Sequence, residues 1–168
     1  MVFIVEECLQ KLNSINGSTK SISDVTAWLF SNENDAAKVV QIWSDVFIRA
    51  SYQTKLYLFY LANNVLVKER NSGHFKYTPE FMTLLPTMCL NSLSMVQDSQ
   101  IAMKILDVLR LWKDHRTMGR SMTFQILSSI PIQILYFFSC SITQHAIPLL
   151  CRSKRPNRQS LYFSIQFH

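Results

Sequence analysis

An all-α domain is the fold class this sequence predicts, and three observations predict it. Apolar residues recur at helical spacing, i, i+3, i+4 and i+7, through successive segments separated by short polar breaks. Several of those segments open on Ser, Asp, Asn or Thr-Pro, residues that suit a helix start. No part of the body alternates polar and apolar residues with the β-branched enrichment of a half-buried strand. A chain of 168 residues with only 3 Gly and 5 Pro suits one domain, with or without a tail, and can bury a substantial core.

The first helix is expected over Val5 to Leu12, closing in the loop around Gly17. A second begins at Ser21–Asp24, where Ile22, Val25, Trp28 and Leu29 fall at helical spacing. Asn34–Asp35 caps a third, carrying Val39, Val40, Ile42, Trp43, Val46 and Phe47. The fourth, Gln53 to Glu69, contains the run YLFYLANNVLVK. Thr78–Pro79–Glu80 starts the fifth: Thr can cap, Pro suits the first turn, and an acid favours the positive end of the helix dipole. That helix reaches about Ser92 and contains Pro86, which predicts a kink or a break. Asp98 opens the sixth, Ser99 to His115, with an apolar stripe of Ile101, Ile105, Val108, Leu109 and Trp112. Helices joined this closely stack as hairpins, right-handed or antiparallel.

Composition changes after Met118. Residues 1–119 hold 12 Lys/Arg against 11 Asp/Glu, whereas residues 120–168 hold five basic residues and no acid. The basic pI of about 9.3 therefore describes the tail and gives no nucleic-acid face to the body. Between Ser121 and Leu150 there is no Asp, Glu, Lys or Arg. A membrane span over Phe124–Ile142 is opposed by Pro131 and by frequent Ser, Gln and Thr, so the tail reads as an atypical, poorly ordered or non-native extension. The opening MVFIV is too short for a signal peptide core, and Cys8, Cys89, Cys140 and Cys151 show no CxxC pairing, which suits reduced intracellular thiols. Cys140, His145 and Cys151 lack a fourth ligand for a structural metal, so neither metal nor cofactor is expected.

No Gly-rich phosphate loop, HExxH or GxSxG is present, and no His has a helix-spaced carboxylate or Cys partner. The sequence reads as non-catalytic. Its most informative feature is the fourth helix, where Tyr60, Asn63, Asn64 and Val67 share one face. Two amides there either satisfy backbone or solvent at a helix edge, or act as polar anchors in an apolar groove. On the sixth helix Lys104, Asp107 and Leu111 form a second stripe. It is either a solvated flank with a Lys104–Asp107 ion pair, or the lip of a peptide groove.

Three blocks, SISDVTAWLFSNENDAAKVVQIW, KLYLFYLANNVLVKERNSGHFKYTPEF and KILDVLRLWKDHRTM, resemble the RNA polymerase II CTD-interacting domain (CID), and within it the proteins named for regulation of nuclear pre-mRNA. The likeness runs from about residue 3 to 119; the tail matches nothing in the family. It implies a right-handed superhelix of about eight helices, similar to ENTH and VHS domains. It also implies a groove between the second, fourth and seventh helices for phosphorylated heptad repeats of the polymerase's largest-subunit tail. The family's YLAN or YxxD element falls on Tyr60–Asn63, so the resemblance gives Asn63 a hydrogen bond to the docked heptad, with Tyr60 beside it. It gives backbone and hydroxyl contacts to Ser21, Ile22 and Ser23 and an apolar contact to Leu111. Asn64 and Val67 share the face but receive no required role. Implied with this are a nuclear location, a part in transcription or 3′-end processing with other proteins of those processes, no direct nucleic-acid binding and no membrane association.

Two departures stand out. Relatives that read phosphoserine-2 place an Arg five residues before the Trp of the third block, and here that position holds Asp107. A carboxylate there should repel a phosphate, leaving compensation by Lys104 or Arg110, another phosphorylation preference, or degenerate binding. No heptads follow Met118, so the family's dimerisation coiled coil is not expected. The alternative to a polymerase-tail reader is a VHS-type trafficking adaptor that binds sorting peptides.

Overall fold

A computed structural model describes residues 4–114, which form six α-helices and one short 3₁₀ turn. The tail from Arg120 onward lies outside the described residues, and with it the expectations for Cys140, His145, Cys151 and the apolar run Phe124–Ile142. The helices are α1 (Val5–Asn13), α2 (Thr19–Ser31), α3 (Ala36–Arg49), α4 (Tyr52–Ser72), α5 (Thr78–Met95) and α6 (Ser99–Asp114). The all-α expectation therefore holds, while the count of about eight helices is not reached among the described residues.

α2 packs most closely on α4, α4 on α2 and α6, and α1 on α3. α2, α4 and α6 form one layer, α1, α3 and α5 the other, and α4 also touches α3 and α5. This is how a superhelical stack of hairpins is built. Gly17 lies against Tyr57, and Thr26 bonds Asn64, so α2 and α4 ascend in the same direction. The central place of α4 explains why its sequence is apolar nearly all round. It buries Leu56, Leu58, Phe59, Leu61, Ala62, Val65 and Leu66 against neighbours on several sides. Trp43, Phe47, Phe59 and Phe81 join α3, α4 and α5 through edge-on and tilted ring contacts with centroids 4.9–5.2 Å apart.

Local chemistry sets the boundaries, and it corrects three expectations. α2 begins at Thr19, not at Ser21–Asp24, because the Ser18 hydroxyl accepts the Ser21 N–H (3.2 Å) and so takes the cap. Asp35 does not cap α3 with its side chain; it pairs with Lys38 at 2.7 Å after a 3₁₀ turn over Glu33–Asp35. α5 runs unbroken through Pro86 to Met95, since Phe81 and Leu85 before the proline and Cys89 and Leu93 after it are buried together. At α6 the expectation is met: Asp98 accepts the Gln100 and Ile101 N–H groups at 2.8 and 3.2 Å. α4 ends on Gly73, whose φ of 74° suits a left-handed cap and whose N–H reaches the Glu69 carbonyl.

Glu69 organises the turn from α4 to α5. It is buried, and its carboxylate accepts the Lys76 and Tyr77 N–H groups (2.7 Å each), the Thr78 N–H (2.8 Å) and the Thr78 hydroxyl (2.6 Å). Thr78 is thus the first residue inside α5, and the capping oxygen comes from Glu69 instead. The buried Tyr77 hydroxyl completes the junction by donating to the Leu29 carbonyl at 2.6 Å.

Candidate functional site

A cleft of about 330 Å³ opens between α2 and α4, lined by Gly17, Thr19, Ile22, Ser23, Tyr60, Asn63 and Asn64. Five of the residues expected from sequence, Ile22, Ser23, Tyr60, Asn63 and Asn64, meet here. Gly17 matters because a Cβ at that position would stand 2.5 Å from the Tyr57 ring, so only glycine lets the loop lie flat on the wall.

The two amides do different work. The Trp112 indole N–H donates to Asn63 Oδ1 at 2.8 Å, and because an indole can only donate, this fixes the amide's orientation. The Thr26 hydroxyl donates to the Ile22 carbonyl at 2.7 Å, so it must accept from Asn64 Nδ2, 2.9 Å away. Each amide is thus half committed to the fold. Asn63 keeps its N–H pair without a partner among the described residues, and Asn64 keeps its carbonyl oxygen. Both amides are structural ties, and each leaves polar atoms at the cleft.

The Asn63–Trp112 bond also sets the register of α6 on α4. Asp107, one and a half turns before Trp112, comes near Tyr60, one turn before Asn63. Burial raises the Tyr60 phenol pKa, and the Asp107 charge raises it further. Asp107 does not pair with Lys104; its carboxylate is bonded to Arg110 Nη1 at 2.8 Å, with both side chains more than half exposed. Leu111 is exposed at 45%, and Lys104 on the same helix is exposed too.

Two expected residues lie elsewhere. Ser21 faces the preceding loop, where its hydroxyl accepts the Asn16 N–H at 3.2 Å. Val67 is half-buried and not among the cleft walls. Sequence reasoning missed Thr19, because the misplaced start of α2 left it in a loop, and Gly17, whose loop meets Tyr57 only in the fold. The Ser18-x-x-Ser21 spacing was the signal that could have placed Thr19. It also missed the tie to Trp112, although most buried polar N–H groups find an acceptor.

A larger cleft of about 420 Å³ lies between α1, α3 and the start of α4, lined by Val5, Leu9, Ile42, Asp45 and Arg49 among others. Its one amide side chain, Asn13, is exposed and has no hydrogen bond among the described residues. Among the described residues no group of His, Cys, Asp and Glu could hold a metal ion, and no helix is long and apolar enough to cross a membrane.

Comparison with known proteins agrees with this architecture. The chain is similar to the mouse Regulation of nuclear pre-mRNA domain-containing protein 2, with 24% identity over 113 residues, covering 67% of this chain and 7% of that protein. It is also similar to the human Regulation of nuclear pre-mRNA domain-containing protein 1B, with 23% identity over 124 residues, 72% of this chain and 36% of that protein. The chain therefore corresponds to a minor part of each relative's length. A solved CID of Ctk3 superposes with a TM-score of 0.67 at 12% identity, over 75% of this chain and 91% of that one, a likeness of fold. A sequence model of the CID domain matches residues 6–125, and the chain belongs to that family of protein-interaction modules, the CTD-interacting domains.

Proposed function

We propose that residues 1–119 are a non-catalytic reader of heptad repeats in the C-terminal tail of RNA polymerase II, docking them in the α2–α4 cleft with α6 as its rim. The observation that carries this reading is the pair Asn63 and Asn64. Their uncommitted halves offer a donor group and an acceptor at one cleft, the kinds of partner that a peptide unit's C=O and N–H need. Ile22 and Tyr60 supply apolar contact on either side. Thr19 and Lys20 have N–H groups with no partner among the described residues, which adds a positive helix end suited to an acidic peptide. Leu111 extends the apolar lip. On this reading the protein acts in the nucleus, in transcription or transcript 3′-end processing, as the names of its relatives suggest.

The test is a titration with plain and serine-phosphorylated two-repeat heptad peptides, beside an acidic dileucine sorting peptide. Ser23 is exposed in the cleft, so Ser23→Trp should fill it without disturbing the core. Heptad binding that disappears in Ser23→Trp supports the reading. Binding of the dileucine peptide alone would establish the trafficking alternative. A second reading, a CID with degenerate peptide binding, is favoured by the Asp107–Arg110 pair at the rim.

A further inference from the structure

The seam between α2 and α4 holds a second cleft, of about 560 Å³, lined by Phe30, Glu33, Lys68, Asn71, Ser72 and His74. Phe30 is half-buried, and the Lys68 ammonium stands over its ring, 5.8 Å from the centroid. Among the described residues Lys68 has no ion-pair partner and the Asn71 side chain no hydrogen bond.

Both clefts belong to one furrow. Gly17 lies on Tyr57, Thr26 bonds Asn64 and Lys68 covers Phe30, contacts that join residues 38 to 40 apart in sequence. α2 and α4 thus run side by side from one cleft to the other. Thr19, Ser23, Thr26 and Phe30 follow at i, i+4, i+7 and i+11, one stripe of α2. Tyr60, Asn64, Val67 and Asn71 repeat that spacing on α4. The first two residues of each stripe line the cleft of Asn63 and Asn64, and the last lines the second cleft. Between them only Thr26, buried, and Val67, half-buried, fall on the stripes, so no long side chain on either stripe interrupts the furrow. The rise from Asn64 to Asn71 is about 10 Å along the axis, which about three residues of extended peptide span.

We infer that the second cleft is a further subsite for the same peptide, seating a ring side chain, aromatic or proline, about three residues beyond the peptide unit held at Asn63 and Asn64. The inference rests on the heptad reading above. Phe30 supplies the ring surface, and aromatic-lined grooves of this kind seat extended, proline-containing peptides. Glu33 and Lys68 bring opposite charges to the mouth, so charge selects neither an acidic nor a basic residue. Asn71 offers a donor and an acceptor to the peptide backbone. Val67, on the shared face but outside the first cleft, then lies under the connecting residues.

The test is a length series: heptad peptides, plain and serine-phosphorylated, lengthened residue by residue at either end from half a repeat to two repeats. At one end, the step that adds a ring residue about three positions out should tighten binding to the native chain about fivefold, the size of one ring contact. Alanine in place of that residue should abolish the step. Asn71 is exposed, so Asn71→Trp fills the second cleft without entering the core, and circular dichroism checks the fold. The step should vanish in Asn71→Trp and shrink in Lys68→Ala. A series without such a step, or a step that persists in Asn71→Trp, would overturn the inference. Loss of all binding in Ser23→Trp would leave the heptad reading standing in that case. Failure of every peptide to bind the native chain would overturn the heptad reading and this inference with it.

Discussion

Asn63 and Asn64 are adjacent, yet they commit opposite halves of their amides to the fold. Trp112 takes the carbonyl of the first, and Thr26 takes the amino group of the second. Trp112→Phe keeps most of the ring volume but removes the only indole N–H that Asn63 serves. Loss of that bond should lower stability by about 1–2 kcal/mol in urea denaturation. It should also loosen α6 against α4, weakening any ligand that uses the rim. The helical face shared by Tyr60, Asn63 and Asn64 was legible from spacing alone. Their hydrogen-bond partners were not, because Trp112 is 49 residues away and Thr26 is 38 residues away. The Asp107 partner was within reach of sequence, one turn along the same helix. Two cations, Lys104 and Arg110, stood at equal distance from it, and only side-chain geometry chose Arg110.

At the scale of elements, the α4–α5 junction depends on one buried carboxylate. Glu69 follows Val65 and Leu66 on an inward face of α4, where an acid is costly unless every oxygen is satisfied. Four donors from Lys76, Tyr77 and Thr78 satisfy it. Glu69→Gln replaces one acceptor oxygen with an amide N–H that points at donors. The expected loss is about 3 kcal/mol in chemical denaturation, the scale of disrupted charge-assisted hydrogen bonds. A loss under about 0.5 kcal/mol would mean that water or another group caps α5 instead. The helices themselves were readable because their apolar periodicity is strong, whereas their ends shifted wherever two capping residues lay close together. Ser18 and Ser21 compete for the start of α2, and backbone geometry decides in favour of Ser18. Pro86 predicted a kink or a break, and α5 shows no break there.

Across the whole molecule, the core excludes water from several groups that would ionise in an unfolded chain. Burial, and secondarily the Glu7 charge, raise the Cys8 thiol from 9.0 to about 11. Burial likewise raises Cys89. The Tyr77 phenol is raised by burial first, with smaller contributions from nearby Cys8, Glu69, Glu33 and Asp35. The folded state keeps these groups protonated where the unfolded state does not. Their contribution is fully present below about pH 9 and is lost progressively as pH rises through 11 and beyond. Urea midpoints should therefore be flat from pH 7 to 8.5 and fall from pH 9 to 10.5. Midpoints that stay flat over that interval would place these groups in contact with water. The same layered stack that buries them sets α2, α4 and α6 side by side, and the cleft is a consequence of that alignment.

The account turns on where a heptad peptide sits. Nuclear magnetic resonance titration of the isotope-labelled chain with a plain two-repeat heptad peptide locates it directly. The largest shifts should fall on the side-chain amides of Asn63 and Asn64 and on the backbone of Gly17, Thr19, Ser23 and Tyr60, extending to Leu111. Shifts confined to Val5, Leu9, Asp45 and Arg49, in the larger cleft between α1 and α3, would contradict it.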